Sequence, residues 1–182
     1  MENSTYDPPQ WYVMRVTYQR EVPAKSRLDE LGVETFLPVQ SVRRRNSHGR
    51  FCKLRVPLVH NFLFVHSDRR TIDGIKTFKL PYLRYATCMR DGRREIMTVP
   101  ERQMQSFMAV AGNEEQQPLF LDPALVDLSQ GDRVRIVGGP FEGVEGTFMR
   151  LQGNRGRRVV IKIEFVAAVA TTEIPPQLVE KV

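Results

Sequence analysis

Between Gly131 and Gly146 the chain reads Gly-Asp-Arg-Val-Arg-Ile-Val-Gly-Gly-Pro-Phe-Glu-Gly-Val-Glu-Gly. A Gly-Asp turn opens it, Arg133 to Val137 alternates as a strand, a Gly-Pro-Phe-x-Gly loop follows, and Gly146 falls where the next strand must bend. In a very small barrel the corners require positive φ or close backbone approach, and both select glycine. Further short β-prone runs follow at Val144 to Leu151, Arg158 to Ile163 and Ala167 to Thr171. Short strands joined by glycine-rich turns are the pattern of a small barrel, expected over residues 131–182.

The residues before it alternate between the two secondary-structure periods. Trp11 to Thr17 is β-branched and aromatic, and apolar on both faces except at Arg15, as in a central strand. Pro23 suits the first turn of a helix in which Ala24, Leu28 and Leu31 share a face and Gly32 closes the end. Thr35 to Val42 reads as a strand interrupted at Pro38. It leads into Arg43-Arg44-Arg45-Asn46-Ser47-His48-Gly49-Arg50, turn chemistry at the exposed tip of a long basic hairpin that returns through Lys53 to Leu58. Asn61 to Val65 makes the next strand, followed by a helix over 71–78, a strand over 82–89, a tight Asp91-Gly92 turn and a short strand at 95–97. Thr98 and Glu101 have capping-box spacing before a helix that buries Met104, Phe107, Met108 and Ala111 and stops at Gly112. The order β-α-β-β-α-β-α predicts an α+β sandwich with an antiparallel sheet over residues 1–112. Residues 113–130 lack periodicity, contain Pro118 and Pro123, and read as an acidic linker.

Charge follows this division. Residues 1–112 carry 19 basic against 11 acidic side chains, 113–130 carry four acidic and no basic ones, and 131–182 carry eight basic against six acidic. Positive potential therefore concentrates in the N-terminal part, where Arg predominates and phosphate backbones are the natural partner. A solvated basic surface without a ligand has the same composition. With 41% hydrophobic residues in 182, each unit can have a core. No apolar run approaches the roughly 18 residues of a membrane span, and Met1 to Gln10 is unlike a signal peptide, so a cytoplasmic protein is expected. Cys52 and Cys88 are too few for a disulfide framework and should be thiols there.

Catalytic patterns are not found. His48, Cys52, His60 and His66 match no standard zinc spacing, the Gly-Gly-Pro-Phe-Glu-Gly run lacks the Gly-Lys-Ser/Thr ending of a phosphate loop, and the carboxylates are scattered. Neither a metal nor a cofactor is expected, and the chain reads as a binding factor rather than an enzyme.

The run from Gly131 to Gly146 resembles a KOW motif, which implies an SH3-like barrel of the kind found in ribosomal proteins and transcription factors. The opening Trp11-Tyr12-Val13 resembles the N-terminal domain of NusG. Pro57-Leu58-Val59-His60-Asn61-Phe62-Leu63-Phe64-Val65 is similar to the strand reading Pro-Leu-Phe-Pro-Asn-Tyr-Leu-Phe-Val in the RfaH-type branch. The resemblance runs from Gln10 to Val182, and within the NusG-like family it is nearest to the UpxY-type antiterminators of capsular polysaccharide operons. His60 and Phe62 replace a proline and a tyrosine of the RfaH pattern, and the threonine-containing stretch of that branch is not recognisable at Arg69 to Asp73.

The resemblance implies a split β-α-β-like domain that grips the clamp helices of the largest RNA polymerase subunit through Tyr12, Leu58, Val59 and Phe62. It implies antitermination as the function; a KOW-containing RNA-binding protein of the ribosome is the alternative. The basic tip, Arg43, Arg44, Arg45, His48, Arg50 and Lys53, would contact DNA or nascent RNA independently of sequence, or would be a solvated loop. On the barrel, Phe141 and Phe165 would face a second partner, either a small-subunit ribosomal protein or the termination factor Rho. NusG has an Ile-Phe-Gly-Arg segment there, and this chain has Ile163-Glu164-Phe165-Val166. The RfaH branch can refold this domain into helices; Val159, Val160, Ile161, Ile163, Val166 and Val169 favour strands, and a stable barrel is expected. The family resemblance implies a monomer.

Overall fold

From Trp11 to Val16, Arg15 is the one side chain that water needs to reach, and the structure puts that stretch inside a sheet. The computed structural model describes residues 7–153 and 155–182. Residues 1–6 of the stretch judged unlike a signal peptide lie outside the described residues.

In chain order, β1 (Gln10–Val16) leads to α1 (Glu21–Glu30), β2 (Glu34–Phe36), β3 (Val39–Arg45), β4 (Phe51–Pro57) and β5 (Phe62–Ser67). Next come α2 (Arg69–Phe78), β6 (Leu83–Tyr85), β7 (Thr87–Arg90), β8 (Arg93–Ile96), β9 (Thr98–Val99) and α3 (Glu101–Ala111). The C-terminal strands are β10 (Leu119–Leu121), β11 (Asp132–Ile136), β12 (Glu145–Arg150), β13 (Arg157–Ile163), β14 (Ala167–Ala170) and β15 (Val179–Lys181). The strand pairings are antiparallel, and the fold is α+β.

Contacts gather the chain into two compact units, one from the chain through Leu37 with Val59–Glu101, the other from Pro38–Leu58 with Arg102–Val182. In the first, the sheet runs β2-β5-β1-β6, with β9 also on β1. Trp11 to Met14 and Val16 are buried, as are Leu63, Phe64 and Val65 of β5, so both faces of the central pair are covered. Each such side chain contributes about 1.5–3 kcal/mol through the area it removes from water. Helix α1 buries Ala24 and Leu28, while α2 buries Ile72 and Ile75 and is capped by Asp68, whose carboxylate accepts the Thr71 N–H at 2.9 Å.

Pro38 proves to be a change of sheet. The stretch expected as one strand is β2 on β5 and then β3 on β4, because a residue without an N–H cannot continue the ladder. In the second unit the four expected C-terminal runs form β11 to β14, and the sheet order is β10-β14-β13-β12-β11-β15. Residues 113–130, expected as a linker, contribute β10, which pairs with β14. Val126 from the same segment is buried with Val160, Ala168 and Ala170, and Leu121 and Leu128 pack against them. A three-residue strand is too short to show as alternation in sequence. The units also differ from the division at 112 and 131, because α3 is tied to the C-terminal sheet: Gln103 donates to the Lys162 carbonyl at 2.7 Å and Ser106 Oγ accepts the Glu145 N–H at 3.0 Å.

Gly146 sits opposite Val134 in the β11–β12 ladder, and a Cβ there would come within 2.7 Å of Val159 Cγ1 and of the Val160 carbonyl oxygen. That oxygen is β13 backbone and cannot swing aside. Gly146→Ala is therefore expected to destabilise the sheet by about 1–3 kcal/mol, seen as a lower denaturation midpoint.

Candidate nucleic-acid interface

The basic segment folds as a two-stranded sheet of its own, with β3 and β4 in register from Val39 opposite Pro57 to Arg45 opposite Phe51. At the tip, Asn46 Oδ1 accepts the N–H groups of His48 (3.0 Å) and Arg50 (2.9 Å), and Gly49 supplies the left-handed step at φ 74°. Side chains directly opposite in such a pair share a face. One face therefore carries Arg43, Arg45, Phe51, Lys53 and Arg55; the other carries Val42, Arg44, Cys52, Leu54 and Val56.

All six sequence-derived candidates, Arg43, Arg44, Arg45, His48, Arg50 and Lys53, are exposed, and Arg44 alone of the strand cations points to the less polar face. Arg43 stands directly opposite Lys53, a like-charge pairing that is unfavourable without an anion beside it. Among the described residues, Arg55 is the hairpin cation with an acidic partner: its guanidinium lies 2.9 Å from Glu114, which also accepts from Ser41 at 3.1 Å. The cations nearer the tip are exposed, with Arg45 lying over the Phe51 ring.

The apolar candidates divide differently. Phe62 is half-buried and pairs with Arg15, the exposed position of β1. Phe64, on the same side of β5, is fully buried, so truncating the two rings should have different consequences. Leu58 is half-buried and donates its N–H to the Pro38 carbonyl at 2.9 Å. Tyr12 and Val59 are buried, so of the four residues that the resemblance places against the clamp helices Leu58 and Phe62 are the part-open ones. The Tyr12 hydroxyl accepts from Gln10 at 2.8 Å and its ring tilts against Tyr85 at 5.4 Å, both inside the unit.

The step into β5 has a buried support that sequence reasoning missed. Asn61 adopts φ 65°, its carbonyl accepts the Val16 N–H at 2.8 Å, and its own N–H donates to the carboxylate of Glu21, which is 2% exposed. A charged residue in the first turn of a helix looks ordinary in sequence; its partner forty residues on is visible only in the fold. Glu21→Ala would take the acceptor from the part-buried Asn61 N–H. The expected cost is about 1–3 kcal/mol in a urea titration.

In the C-terminal sheet the two aromatics part company. Phe165 occupies the β13–β14 turn at φ 61° and is 71% exposed. Phe141, which the resemblance places toward a second partner, is buried, its carbonyl closing a turn with the Val144 N–H at 3.1 Å. On the neighbouring strands Arg135 bonds Glu145 at 2.6 Å, and that hydrogen bond holds the Glu145 carboxyl below its ordinary range. His66, a member of the histidine-cysteine grouping, stacks on Trp11 with ring centroids 5.0 Å apart and bonds Glu34 at 2.9 Å. Among the described residues no helix is long and apolar enough to cross a membrane.

The fold is of the α+β class, with an antiparallel sheet that buries Trp11 to Met14 at its centre. The family described as transcription termination factor nusG matches residues 9–108, more than half of the chain. The chain belongs to the NusG family and is thus a transcription elongation/termination factor in kind, from a family of RNA polymerase-binding transcription factors rather than enzymes. No curated protein matches it.

Proposed function

We propose that this chain is a specialised antiterminator of the RfaH/UpxY type, which binds the clamp helices of the largest RNA polymerase subunit and suppresses pausing or termination at a dedicated operon such as one for capsular polysaccharide. The observation that carries this reading is Phe62. It is an aromatic ring left half-open at the start of a strand whose next three residues are fully buried, at the position matching the family's polymerase contact. An exposed ring beside a packed sheet suits an anchor in a helix-in-groove contact. Leu58 is the second anchor.

In this reading the β3–β4 hairpin contacts DNA or nascent RNA. Residues 131–182 act as a KOW domain, and Phe165 offers a contact for a small-subunit ribosomal protein or Rho. Tying the factor to the clamp disfavours the opened, paused polymerase; a bias of about 1.4 kcal/mol speeds escape tenfold. The test is single-round transcription with the cognate polymerase on a template holding a strong pause. Added protein should shorten the pause and raise read-through past a terminator. Unchanged pause lifetime and read-through at saturating protein would remove the antitermination reading.

A further inference from the structure

We propose that the face of the β3–β4 hairpin bearing Arg43, Arg45, Phe51 and Lys53 is a track for single-stranded nucleic acid, with Phe51 stacking on a base and the cations holding the flanking phosphates. The inference rests on the reading of the hairpin as a nucleic-acid element and narrows its ligand.

Register supplies the first reason. Phe51 stands opposite Arg45, two residues from Lys53, which is opposite Arg43, so the ring shares its face with these three cations and, further from the tip, with Arg55. Alternate residues on a strand are roughly 6.8 Å apart, and a flexible single strand can adjust its phosphates to such a row. The second reason is the ring itself. Phe51 is 68% exposed, and Arg45 Cζ lies over the ring 5.0 Å from its centroid, so a guanidinium sits on an aromatic whose remaining surface is open to solvent. Duplex DNA keeps its bases stacked inside and offers such a ring nothing, whereas an unpaired base offers a flat face. Cations alternating with an aromatic are the components of a single-strand platform. Lastly, the track has an inner limit: Glu114 neutralises Arg55 and bonds Ser41 at the hairpin's base, so the free positive charge lies in the half nearer the tip.

Arg44 provides an internal control, because it carries the same charge on the opposite face, between Val42 and the exposed Cys52 and Leu54. The experiment measures anisotropy of labelled oligo(dT), oligo(U) and a blunt duplex with the full chain across a salt series. Wild type should bind a single strand more tightly than the duplex, and the dT and U arms identify whether DNA or RNA is preferred. Phe51→Ala should weaken single-strand binding about fivefold or more with the salt slope unchanged, since a stacked base is neutral. Phe51→Trp should retain affinity, its indole emission quenched on binding. Arg43→Ala should flatten the slope by about 0.7, the single-strand value for one phosphate, and Arg44→Ala should flatten it less. Wild-type affinity in Phe51→Ala, or a preference for duplex, overturns the stacking track while leaving the hairpin as a backbone-binding element. Failure to bind either form removes both readings.

Discussion

Phe62→Ala is expected to lose at least about 2 kcal/mol of affinity for the isolated clamp-helix segment of the cognate polymerase, the loss typical of a central aromatic anchor. That corresponds to about a thirtyfold weaker complex. The same change should leave the fold nearly intact, because Phe62 is already partly open to water and its paired neighbour is the exposed Arg15. Phe64→Ala is the counterpart. Its ring is fully buried, and removing it should cost about 3–5 kcal/mol of stability through lost transfer energy and the cavity left behind. Binding by titration calorimetry and unfolding by urea, measured on both variants, separate anchor from core. If Phe62→Ala binds like wild type, the clamp contact does not run through this ring. If it unfolds as Phe64→Ala does, the ring is a core residue.

The contrast between those two phenylalanines shows where the sequence was informative. Period-two alternation predicts that Phe62 and Phe64 share a side, and nothing in the pattern says that only one is covered. Exposure there depends on which elements lie over the strand, a tertiary matter. Val59, at a position matching the family's patch, and its neighbour Tyr12 are likewise packed over, which the pattern does not show. Phe141, which the resemblance places with Phe165 on a partner-facing surface, is buried. The hairpin was easier to read. Six basic positions around an Asn-Ser-His-Gly turn leave few alternatives, and the Asn46 side-chain bonds at the tip are local chemistry. What the sequence could not yield was the register, and hence the sorting of Arg43 and Arg44 onto opposite faces and the placement of Phe51 among the cations. Glu21 was invisible until its carboxylate met the Asn61 N–H.

Replacing Arg43, Arg45 and Lys53 together by glutamine is expected to have the largest effect on nucleic-acid binding. Glutamine keeps length and polarity, and all three side chains are exposed on a hairpin whose strands pair only with one another, so little stability is at stake. Removing the opposed Arg43 and Lys53 charges also relieves a cross-strand repulsion, which favours the free hairpin. Binding moves the other way. Each phosphate contact contributes about 0.7 to the slope of log affinity against log salt on a single strand, so three losses should flatten it by about 2. A charged hydrogen bond contributes about 1.5–3 kcal/mol, and losing even two of the three would weaken binding by roughly a hundredfold or more at low salt. The discriminating feature is the salt dependence. Wild type and variant should converge as ionic strength rises, because the lost free energy is that of counterion release and disappears when the bulk solution already supplies the ions. Parallel salt lines with a constant offset would mean that these cations shape the hairpin instead of holding phosphates. The same variant should still bind the isolated clamp segment through Phe62, and in a transcription assay it should lose pause suppression at low salt.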